Sequence, residues 1–270
     1  MTAAAHINNH RVVFITGASS GIGYAAALAF AKSGANVIVT ARRVDRLAAL
    51  ETSVQRLPSP HGAVFALAAD VRDAADVQLA VERGIERFGH IDVLVANAGV
   101  GQRGAIVDSD WDDLETLLRT NIDGVLHSVR AVVPVMRKQG GGGHIIIVSS
   151  VVANMTAPYT ACYSASKAFV SSLAKSLRLE LEDDQITVTD MRVGRTATEF
   201  NEKRLGASGY AARAPKLPVM PAEKVGEAMV KAVNKHQKTV VLRFFDRLII
   251  WANSLAPNII GRRALKQYRV

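Results

Sequence analysis

Seven short runs rich in valine and isoleucine constrain this chain more than any other feature. Within each run, apolar residues follow one another without the polar alternation of a half-exposed strand. Strands of this kind are covered on both faces, which indicates a parallel sheet between two layers of helices. The runs are Arg11–Thr16, Asn36–Thr40, Ala63–Ala68, Ile91–Ala96, His144–Ser149, Ile186–Arg192 and, more weakly, Thr239–Leu242.

Helical patterns separate these runs. Ile22, Ala26 and Phe30 recur at helical spacing after the first run, and a pattern of five turns begins at Tyr163. Strand–helix alternation of this kind predicts a doubly wound α/β fold with right-handed crossovers. The sequence shows no internal repeat, and the Gly140–Gly143 run is interpreted as a loop rather than a linker between domains.

Composition excludes several classes of protein. Of the 270 residues, 49% are hydrophobic and 21% are charged, unlike a disordered, collagen-like or coiled-coil protein. The single cysteine, Cys162, excludes an internal disulfide framework, and the histidines lack metal-ligand spacing, so no metal is assigned. No apolar run approaches the roughly 20 residues of a membrane span, and Met1–His10 lacks the pattern of a signal peptide. We expect a reducing, cytoplasmic compartment and a flexible N-terminus over residues 1–10.

A glycine-rich turn ends the first predicted strand and opens a helix. It reads Thr16-Gly17-Ala18-Ser19-Ser20-Gly21-Ile22-Gly23. Glycines let the backbone turn tightly and approach a diphosphate, while the helix start offers unpaired N–H groups and a positive dipole end. The Gly-x-x-x-Gly-x-Gly spacing departs from the common Gly-x-Gly-x-x-Gly fingerprint, and a plain tight turn is the alternative. The position after the first strand favours nucleotide binding.

The second predicted strand ends in Val39-Thr40-Ala41-Arg42-Arg43. An NAD site carries an acidic residue near this point, which accepts hydrogen bonds from the adenosine ribose. Ala41 and Arg42 offer no such acceptor, whereas the Arg42 guanidinium suits a 2′-phosphate. The sequence therefore predicts NADP(H) rather than NAD(H). The alternative is that Arg42 and Arg43 are a solvated pair.

Tyr163 and Lys167 stand four residues apart, on one face of a predicted helix. A tyrosine hydroxyl, with an ordinary pKa of about 10, is a weak acid–base group near neutrality, and a neighbouring ammonium favours its phenolate. Ser150 lies at the carboxyl end of the fifth predicted strand, the edge where open α/β sheets bind ligands. Its hydroxyl there can hydrogen-bond a carbonyl oxygen. A Tyr-x-x-x-Lys pair alone carries little information.

Taken together and in order, these motifs resemble the short-chain dehydrogenase/reductase family over about residues 11–242. The resemblance implies one Rossmann-type catalytic domain over residues 11–242, with a seven-stranded parallel sheet in the order 3-2-1-4-5-6-7. The catalytic set that it implies is Asn121, Ser150, Tyr163 and Lys167. The cofactor-binding set that it implies is Gly17, Ser19, Ser20, Gly21, Ile22, Gly23, Arg42, Asp70, Val71, Asn97, Ala98, Gly99, Tyr163, Lys167, Val193, Thr196 and Thr198.

Two positions depart from the family's pattern. Ala96 stands where the first asparagine of an Asn-Asn-Ala-Gly motif is usual, and Val193 replaces the proline of a Pro-Gly pair. In the family, the second of these loops anchors the nicotinamide carboxamide. Because valine keeps an N–H that proline lacks, we expect the hydrogen bonding of this loop to differ from the family's.

The resemblance also implies a mechanism, in which a hydride passes between the nicotinamide and a carbonyl or secondary alcohol carbon. Ser150 would polarise the carbonyl oxygen, and Tyr163 would donate the proton as general acid. Lys167 would lower the pKa of the tyrosine and bind the nicotinamide ribose. Asn121 would hold a water that relays protons. Homo-dimers or homo-tetramers are common in the family, through the helices that hold Asn121 and Tyr163.

Residues 196–221 are expected to form the lid over a pocket for a small-molecule carbonyl or alcohol substrate. The lid is mixed in character, with these apolar and basic residues: Phe200, Leu205, Tyr210, Leu217, Met220, Lys203, Arg204, Arg213 and Lys216. An apolar or amphipathic compound, with or without an anionic end, would suit it. Trp111 is expected to pack against a neighbouring helix, and lining the pocket is its alternative role.

Residues 243–270 form a C-terminal helical extension beyond the catalytic fold. Its large apolar residues align on one helical face: Phe244, Leu248, Trp251 and Leu255. Pro257 is expected to break or restart the helix. Six basic residues and one acidic residue give this segment +5 of the chain's net charge of +9. Two interpretations stay open, namely peripheral contact with a membrane surface and docking on a partner subunit or over the substrate entrance.

Two other functions compete with an NADPH-dependent oxidoreductase. A non-enzymatic NADPH sensor of the same fold would tolerate loss of Tyr163 or Lys167, and both are present. A nucleic-acid-binding protein would suit the positive charge. However, the sequence carries no nucleic-acid-binding signature and the charge is concentrated in the extension, so no nucleic-acid partner is expected.

Overall fold

The computed structural model describes residues 11–206 and 219–266. Nine strands are assigned within these residues. They are β1 (Val12–Thr16), β2 (Asn36–Ala41), β3 (Val64–Ala68), β4 (Val93–Ala96), β5 (Gly143–Ser150), β6 (Ile186–Val193), β7 (Thr196–Ala197), β8 (Met220–Pro221) and β9 (Thr239–Val241). Seven form one parallel sheet in the order β3-β2-β1-β4-β5-β6-β9, which confirms the predicted order. The short β7 and β8 pair separately with each other.

Nine α-helices cover the sheet or follow it. They are α1 (Gly21–Lys32), α2 (Val44–Gln55), α3 (Ala74–Phe88), α4 (Trp111–Leu118), α5 (Gly124–Gln139), α6 (Ala161–Glu180), α7 (Ala222–Asn234), α8 (Phe244–Leu255) and α9 (Pro257–Leu265) in the described part of the chain. A π-helical segment, Arg119–Asp123, joins α4 to α5. Pro257 begins α9, as expected for a residue that cannot continue the preceding helix.

Two apolar cores lie on opposite faces of the sheet. Val13 and Ile15 of β1 belong to the core under α1, α2 and α7, whereas Val12 and Phe14 belong to the core under α3, α5 and α6. All four side chains are fully buried. The lack of polar alternation in the sequence thus has a direct cause, because a strand buried on both faces has no position for a polar residue.

The strand order determines where the ligand-binding edge of the sheet lies. β1 pairs with β2 on one side and with β4 on the other, so the chain reverses its direction of winding between them. The loops after β1 and β4 diverge there, and the carboxyl ends of β5 and β6 continue the same edge. The glycine-rich turn follows β1, the Asn97-Ala98-Gly99 loop follows β4, and Ser150 ends β5, as expected for the ligand-binding edge of a doubly wound sheet.

Several expectations concern residues whose structure is partly or wholly outside the described ranges. Residues 1–10, predicted to be a flexible N-terminus, lie outside them, as do Tyr210, Arg213, Lys216 and Leu217 of the predicted lid 196–221. Within the described residues, Trp111 does not pack as expected. It begins α4 with 68% of its surface exposed, because the buried face of this helix is formed by Leu114 and Leu117.

Candidate active site

The turn between β1 and α1 is shaped to receive a phosphate group. Gly17 and Gly21 adopt left-handed backbone angles, with φ of +68° and +57°. A Cβ at Gly17 would lie 2.7 Å from Ala98 Cα, and one at Gly21 would lie 2.9 Å from Thr198 Cγ2. The turn is therefore packed against the loops that follow β4 and β6. A side chain at either glycine would strain the backbone and collide with these two loops.

Asn97 ties the turn to β4. Its side-chain amide donates to the carbonyl oxygens of Thr16 and Gly17, at 2.9 and 3.2 Å. The Thr16 hydroxyl accepts hydrogen bonds from the backbone N–H groups of Asn97 and Ala98, both at 3.1 Å. Sequence analysis assigned Asn97 to cofactor binding. In the structure its side chain holds the β1 and β4 loops together.

The basic residues after β2 take different positions. Arg42 is exposed, whereas Arg43 folds back onto the glycine-rich turn, where its guanidinium donates to the Ser19 and Ser20 hydroxyls at 2.9 Å. Arg43 also forms an ion pair with Glu199 at 3.3 Å. The predicted phosphate contact was Arg42 alone. The guanidinium that lies against the turn belongs to the next residue, because the chain leaves β2 and enters α2 there.

Asp70 and Val71 follow β3 at the far side of the turn. Asp70 forms an ion pair with Arg72 at 2.6 Å. Burial disfavours the ionised carboxyl, but the hydrogen bonds and charge of Arg72, with the charge of Arg42, together lower the pKa of Asp70. Val71 is buried, and its carbonyl oxygen lies 2.9 Å from His127 Nδ1. Arg42 therefore lies near Asp70, which with Val71 resembles the pair that contacts the adenine in the family, while Arg43 lies against the glycine-rich turn.

Ser150 and Tyr163 meet at the carboxyl end of β5. Ser150 is the last residue of β5, is buried, and donates a hydrogen bond to the Val193 carbonyl oxygen at 3.2 Å. Tyr163 lies in the first turn of α6, close enough to Ser150 for that hydroxyl to influence the pKa of the tyrosine. Burial raises the pKa of the Tyr163 hydroxyl, and Ser150 and the charge of Arg204 oppose that rise. The Tyr163 ring also packs against Phe200, with ring centroids 5.6 Å apart.

Lys167 lies one helical turn beyond Tyr163 and is buried. Its ammonium donates to the Val148 carbonyl oxygen on β5 at 2.8 Å. Burial lowers the pKa of Lys167 to about 8. The groups that oppose the rise in the Tyr163 pKa are Ser150 and Arg204, so the effect expected of Lys167 on the tyrosine stays a prediction.

Asn121 lies in the π-helical segment between α4 and α5, where its side chain is completely buried. The amide accepts from the Val100 N–H at 2.8 Å and donates to the Val100 carbonyl oxygen and to Ser166 Oγ, both at 3.0 Å. A Cβ at Gly99 would lie 3.2 Å from Asn121 Oδ1 and 3.4 Å from Lys167 Nζ. Asn121 thus positions the loop after β4 beside Lys167. Its predicted role of holding a water stays a prediction.

The loop after β6 closes the site. Val193 is the last residue of β6, and the Thr196 hydroxyl donates to the Gly194 carbonyl oxygen at 3.1 Å. The Thr198 hydroxyl accepts a hydrogen bond from the Phe200 N–H at 3.4 Å, which starts a short 3₁₀ turn over Gly21. Thr198 is thereby held against Gly21 at the glycine-rich turn, and Thr196 is held within the loop that follows β6.

The residues present fit a dinucleotide cofactor. The glycine turn leads into the N-terminus of α1, the end of a helix that favours phosphate. Ser19 and Ser20 present hydroxyls beside Arg43, and the loop with Gly99 lies next to Lys167. The sequence did not predict the positions of Arg43 and Glu199 or the aromatic contact of Phe200 with Tyr163. In the sequence, Arg43 is only one member of a basic pair. No sequence signal marked Glu199, because its contact joins residues 156 positions apart.

Comparison with known proteins agrees with this geometry. Residues 11–207 match the short chain dehydrogenase family. The chain is 36% identical over 219 residues to sulfoacetaldehyde reductase 2 of Chromohalobacter salexigens, and the match covers 80% of this chain and 85% of that protein.

Solved structures match as well. An alcohol dehydrogenase from Thermococcus sibiricus complexed with 5-hydroxy-NADP has 27% identity and a TM-score of 0.75, and the match covers 87% of this chain and 97% of that one. A 3-ketoacyl-(acyl-carrier-protein) reductase from Brucella melitensis complexed with NADH has 27% identity and a TM-score of 0.75, and that match covers 85% and 93% of the two chains. The chain belongs to the short-chain dehydrogenase/reductase family of oxidoreductases.

Proposed function

We propose that this protein is an NADP(H)-dependent oxidoreductase that reduces a carbonyl group or oxidises a secondary alcohol. The observation that carries the proposal is the placement of Ser150, Tyr163 and Lys167 at one edge of the sheet, next to a turn shaped for phosphate. Nucleotide binding alone would not require a tyrosine hydroxyl beside a buried serine. The non-enzymatic sensor is the alternative.

The chemistry of the proposed site divides between cofactor and protein. A bound nicotinamide cofactor supplies or accepts the hydride. The Ser150 hydroxyl donates a hydrogen bond to the substrate oxygen, and Tyr163 transfers the proton to that oxygen during reduction. Lys167, a buried cation beside the Gly99 loop, would hold the ribose of the cofactor, and its charge would favour the tyrosinate form of Tyr163. Asn121 holds that loop in place.

The preference for NADP(H) rests on the end of β2. Ala41 offers no carboxylate to a ribose, and the two residues that follow it, Arg42 and Arg43, carry guanidinium groups that suit a 2′-phosphate. Glu199 pairs with Arg43 and Arg46 at 3.3 and 3.5 Å, so a carboxylate already occupies one side of Arg43. A 2′-phosphate, with greater charge, would replace this exposed ion pair.

The proposed substrate is an apolar or amphipathic carbonyl compound with an anionic end. Phe200 provides an apolar surface against Tyr163, and Arg204 lies close enough to lower the pKa of the tyrosine. Both residues also approach Gly101, where an added Cβ would lie 2.9 Å from Phe200 Cε1 and 3.0 Å from Arg204 Cγ. A relative that is 36% identical is named a sulfoacetaldehyde reductase, whose substrate combines an aldehyde with a sulfonate.

A homo-dimer or homo-tetramer is the proposed assembly. Phe169 and Leu179 of α6 are 44% and 76% exposed, although α6 is the helix that carries Tyr163 and Lys167. Apolar surface on a long helix favours burial against a second copy. Light scattering that gives the mass of one chain would contradict this proposal.

The activity is tested by absorbance at 340 nm with NADPH and then NADH, over a panel of carbonyls with and without a carboxylate or sulfonate. Tyr163→Phe is the matched control, since it removes one oxygen and keeps the aromatic contact with Phe200. Turnover that depends on Tyr163 supports the proposal that the protein is an oxidoreductase. Tight NADPH binding without turnover across the panel favours the sensor.

A further inference from the structure

Helix α8 is oriented with its polar side inward and its apolar side outward. Asp246 and Asn253, two turns apart, are its buried residues, exposed by 3% and 6%. Large apolar residues stand on the opposite face, each at least 45% exposed: Phe244, Leu248, Trp251 and Leu255. A helix that packed by the hydrophobic effect would show the reverse arrangement. Specific polar contacts therefore hold α8 in place, and its apolar face remains available to another surface.

The polar contacts join α8 and α9 to the loops after β5 and β6. Asn253 donates to the Asn154 carbonyl oxygen at 2.6 Å and accepts from the Thr156 N–H at 3.2 Å. Gly261 of α9 packs directly on Thr156. At the other end, the Asp246 carboxylate pairs with Arg243 at 2.7 Å, and both side chains pack on Gly194. The orientation of both helices is thus set by the catalytic domain.

Helix α9 adds positive charge to the outward surface. Ile259, Arg263 and Lys266 are spaced by four and three residues, so they share the face opposite the buried Gly261, and all three are exposed. Arg262 is exposed beside them. Asp246 is the sole acidic residue of the extension in the sequence, and Arg243 neutralises it. The outward surface therefore combines large apolar side chains with unbalanced positive charge.

We propose that α8 and α9 form a docking surface for an anionic lipid membrane. An apolar helix face beside several basic side chains matches the acyl boundary and the charged headgroups of such a membrane. Two copies of the chain packed through this surface would bring like charges together, which disfavours a second copy as the occupant. Among residues 11–206 and 219–266, no helix is long and apolar enough to cross a bilayer. The contact is thus peripheral. It is independent of the proposed activity.

Vesicle co-sedimentation of the full chain tests the proposal. The probes are vesicles of phosphatidylcholine with one quarter phosphatidylglycerol, and vesicles of phosphatidylcholine alone. We expect the unaltered protein to bind the anionic vesicles at least about 10-fold more tightly than the neutral ones. The double variant Leu248→Ser with Trp251→Ser is expected to lose roughly 100-fold in affinity, since two large apolar side chains no longer insert.

Two control variants separate this surface from general effects. Val107→Ser with Trp111→Ser removes two exposed apolar side chains elsewhere and is expected to bind vesicles unchanged. A charge pair, Arg262→Gln with Arg263→Gln, is expected to weaken binding to anionic vesicles about 10- to 30-fold and to leave neutral vesicles unaffected. Every altered side chain is exposed, so we expect each variant to fold. Circular dichroism and thermal melting check this.

Three results would overturn the proposal. One is absence of binding by the unaltered protein, and another is equal binding by the Leu248, Trp251 double variant. The third is a combination of two observations: light scattering gives the double variant a smaller mass in solution than the unaltered protein, and the unaltered protein does not bind vesicles. That last result would assign the apolar face to a second copy of the chain.

Discussion

Replacing Arg43 by alanine tests the proposed cofactor preference at the residue that lies against the glycine-rich turn. The Arg43 guanidinium contacts Ser19, Ser20 and Glu199. If the 2′-phosphate of NADPH binds here, the variant loses a charge-assisted hydrogen bond that NADH never forms. The expected result is therefore a change in the ratio of the two affinities rather than in both.

The size of the change follows from the exposure of Arg43. A hydrogen bond to a charged group contributes about 1.5 to 3 kcal/mol when it is well shielded. The Arg43 side chain is 36% exposed, so solvent screens the interaction and we expect about 1 to 2 kcal/mol. This corresponds to a loss of roughly 5- to 30-fold in NADPH affinity. The affinity for NADH is expected to change by less than about twofold.

Fluorescence titration with NADPH and with NADH measures both dissociation constants directly, without a substrate. Arg46→Ala is the matched control, because Arg46 also pairs with Glu199 but contacts neither serine of the turn. Arg42→Ala separates the two basic residues after β2. Equal weakening of both cofactors by Arg43→Ala would refute the phosphate assignment and leave Arg43 as a support for the turn.

Three further predictions concern the catalytic edge. Tyr163→Phe is expected to lower kcat by about 10²- to 10⁴-fold in the 340 nm assay, with NADPH affinity unchanged by titration. Because burial lowers the pKa of Lys167 from 10.5 to about 8, the unfolded chain binds that proton more tightly, so stability rises as pH passes from about 8 to 10.5. Urea unfolding should therefore show the parent protein gaining about 2 kcal/mol relative to Lys167→Met between pH 7 and pH 9.5, and a flat difference would contradict it. Asp246→Asn removes the buried carboxylate that pairs with Arg243, so we expect the free energy of unfolding in urea to fall by about 2 kcal/mol. Because both side chains pack on Gly194, the KM for NADPH should rise. An unchanged KM would show that α8 does not influence the cofactor loop.

The parts of the fold that depend on local pattern were predictable from the sequence. Strands buried on both faces gave continuous apolar runs, and the predicted sheet order is confirmed. Ser150 was expected at the ligand-binding edge of the sheet, and Tyr163 and Lys167 on one face of a helix. The structure brings the three residues together at that edge. This succeeded because parallel strands carry their carboxyl ends to the same edge whatever the details of packing.

The details that depend on the direction of a side chain were not predictable. Arg42 and Arg43 are adjacent in sequence, and only the entry angle of α2 decides which one turns toward Ser19. Asn97 matches a cofactor motif, and the motif does not reveal that its amide binds the backbone of Thr16 and Gly17. Trp111 is apolar and large but begins a helix whose buried face lies elsewhere. Each of these outcomes is set by contacts between residues far apart in the chain.

The orientation of α8 has a consequence for how this protein can evolve. The residues that hold the helix, Asp246 and Asn253, share no position with those that face outward, such as Leu248 and Trp251. Selection can therefore alter the outer set, toward charge or toward greater apolarity, without loosening the attachment to the catalytic domain. Substitutions at the outward positions would change which surfaces α8 can contact, while the packing of the helix on the catalytic domain stays the same.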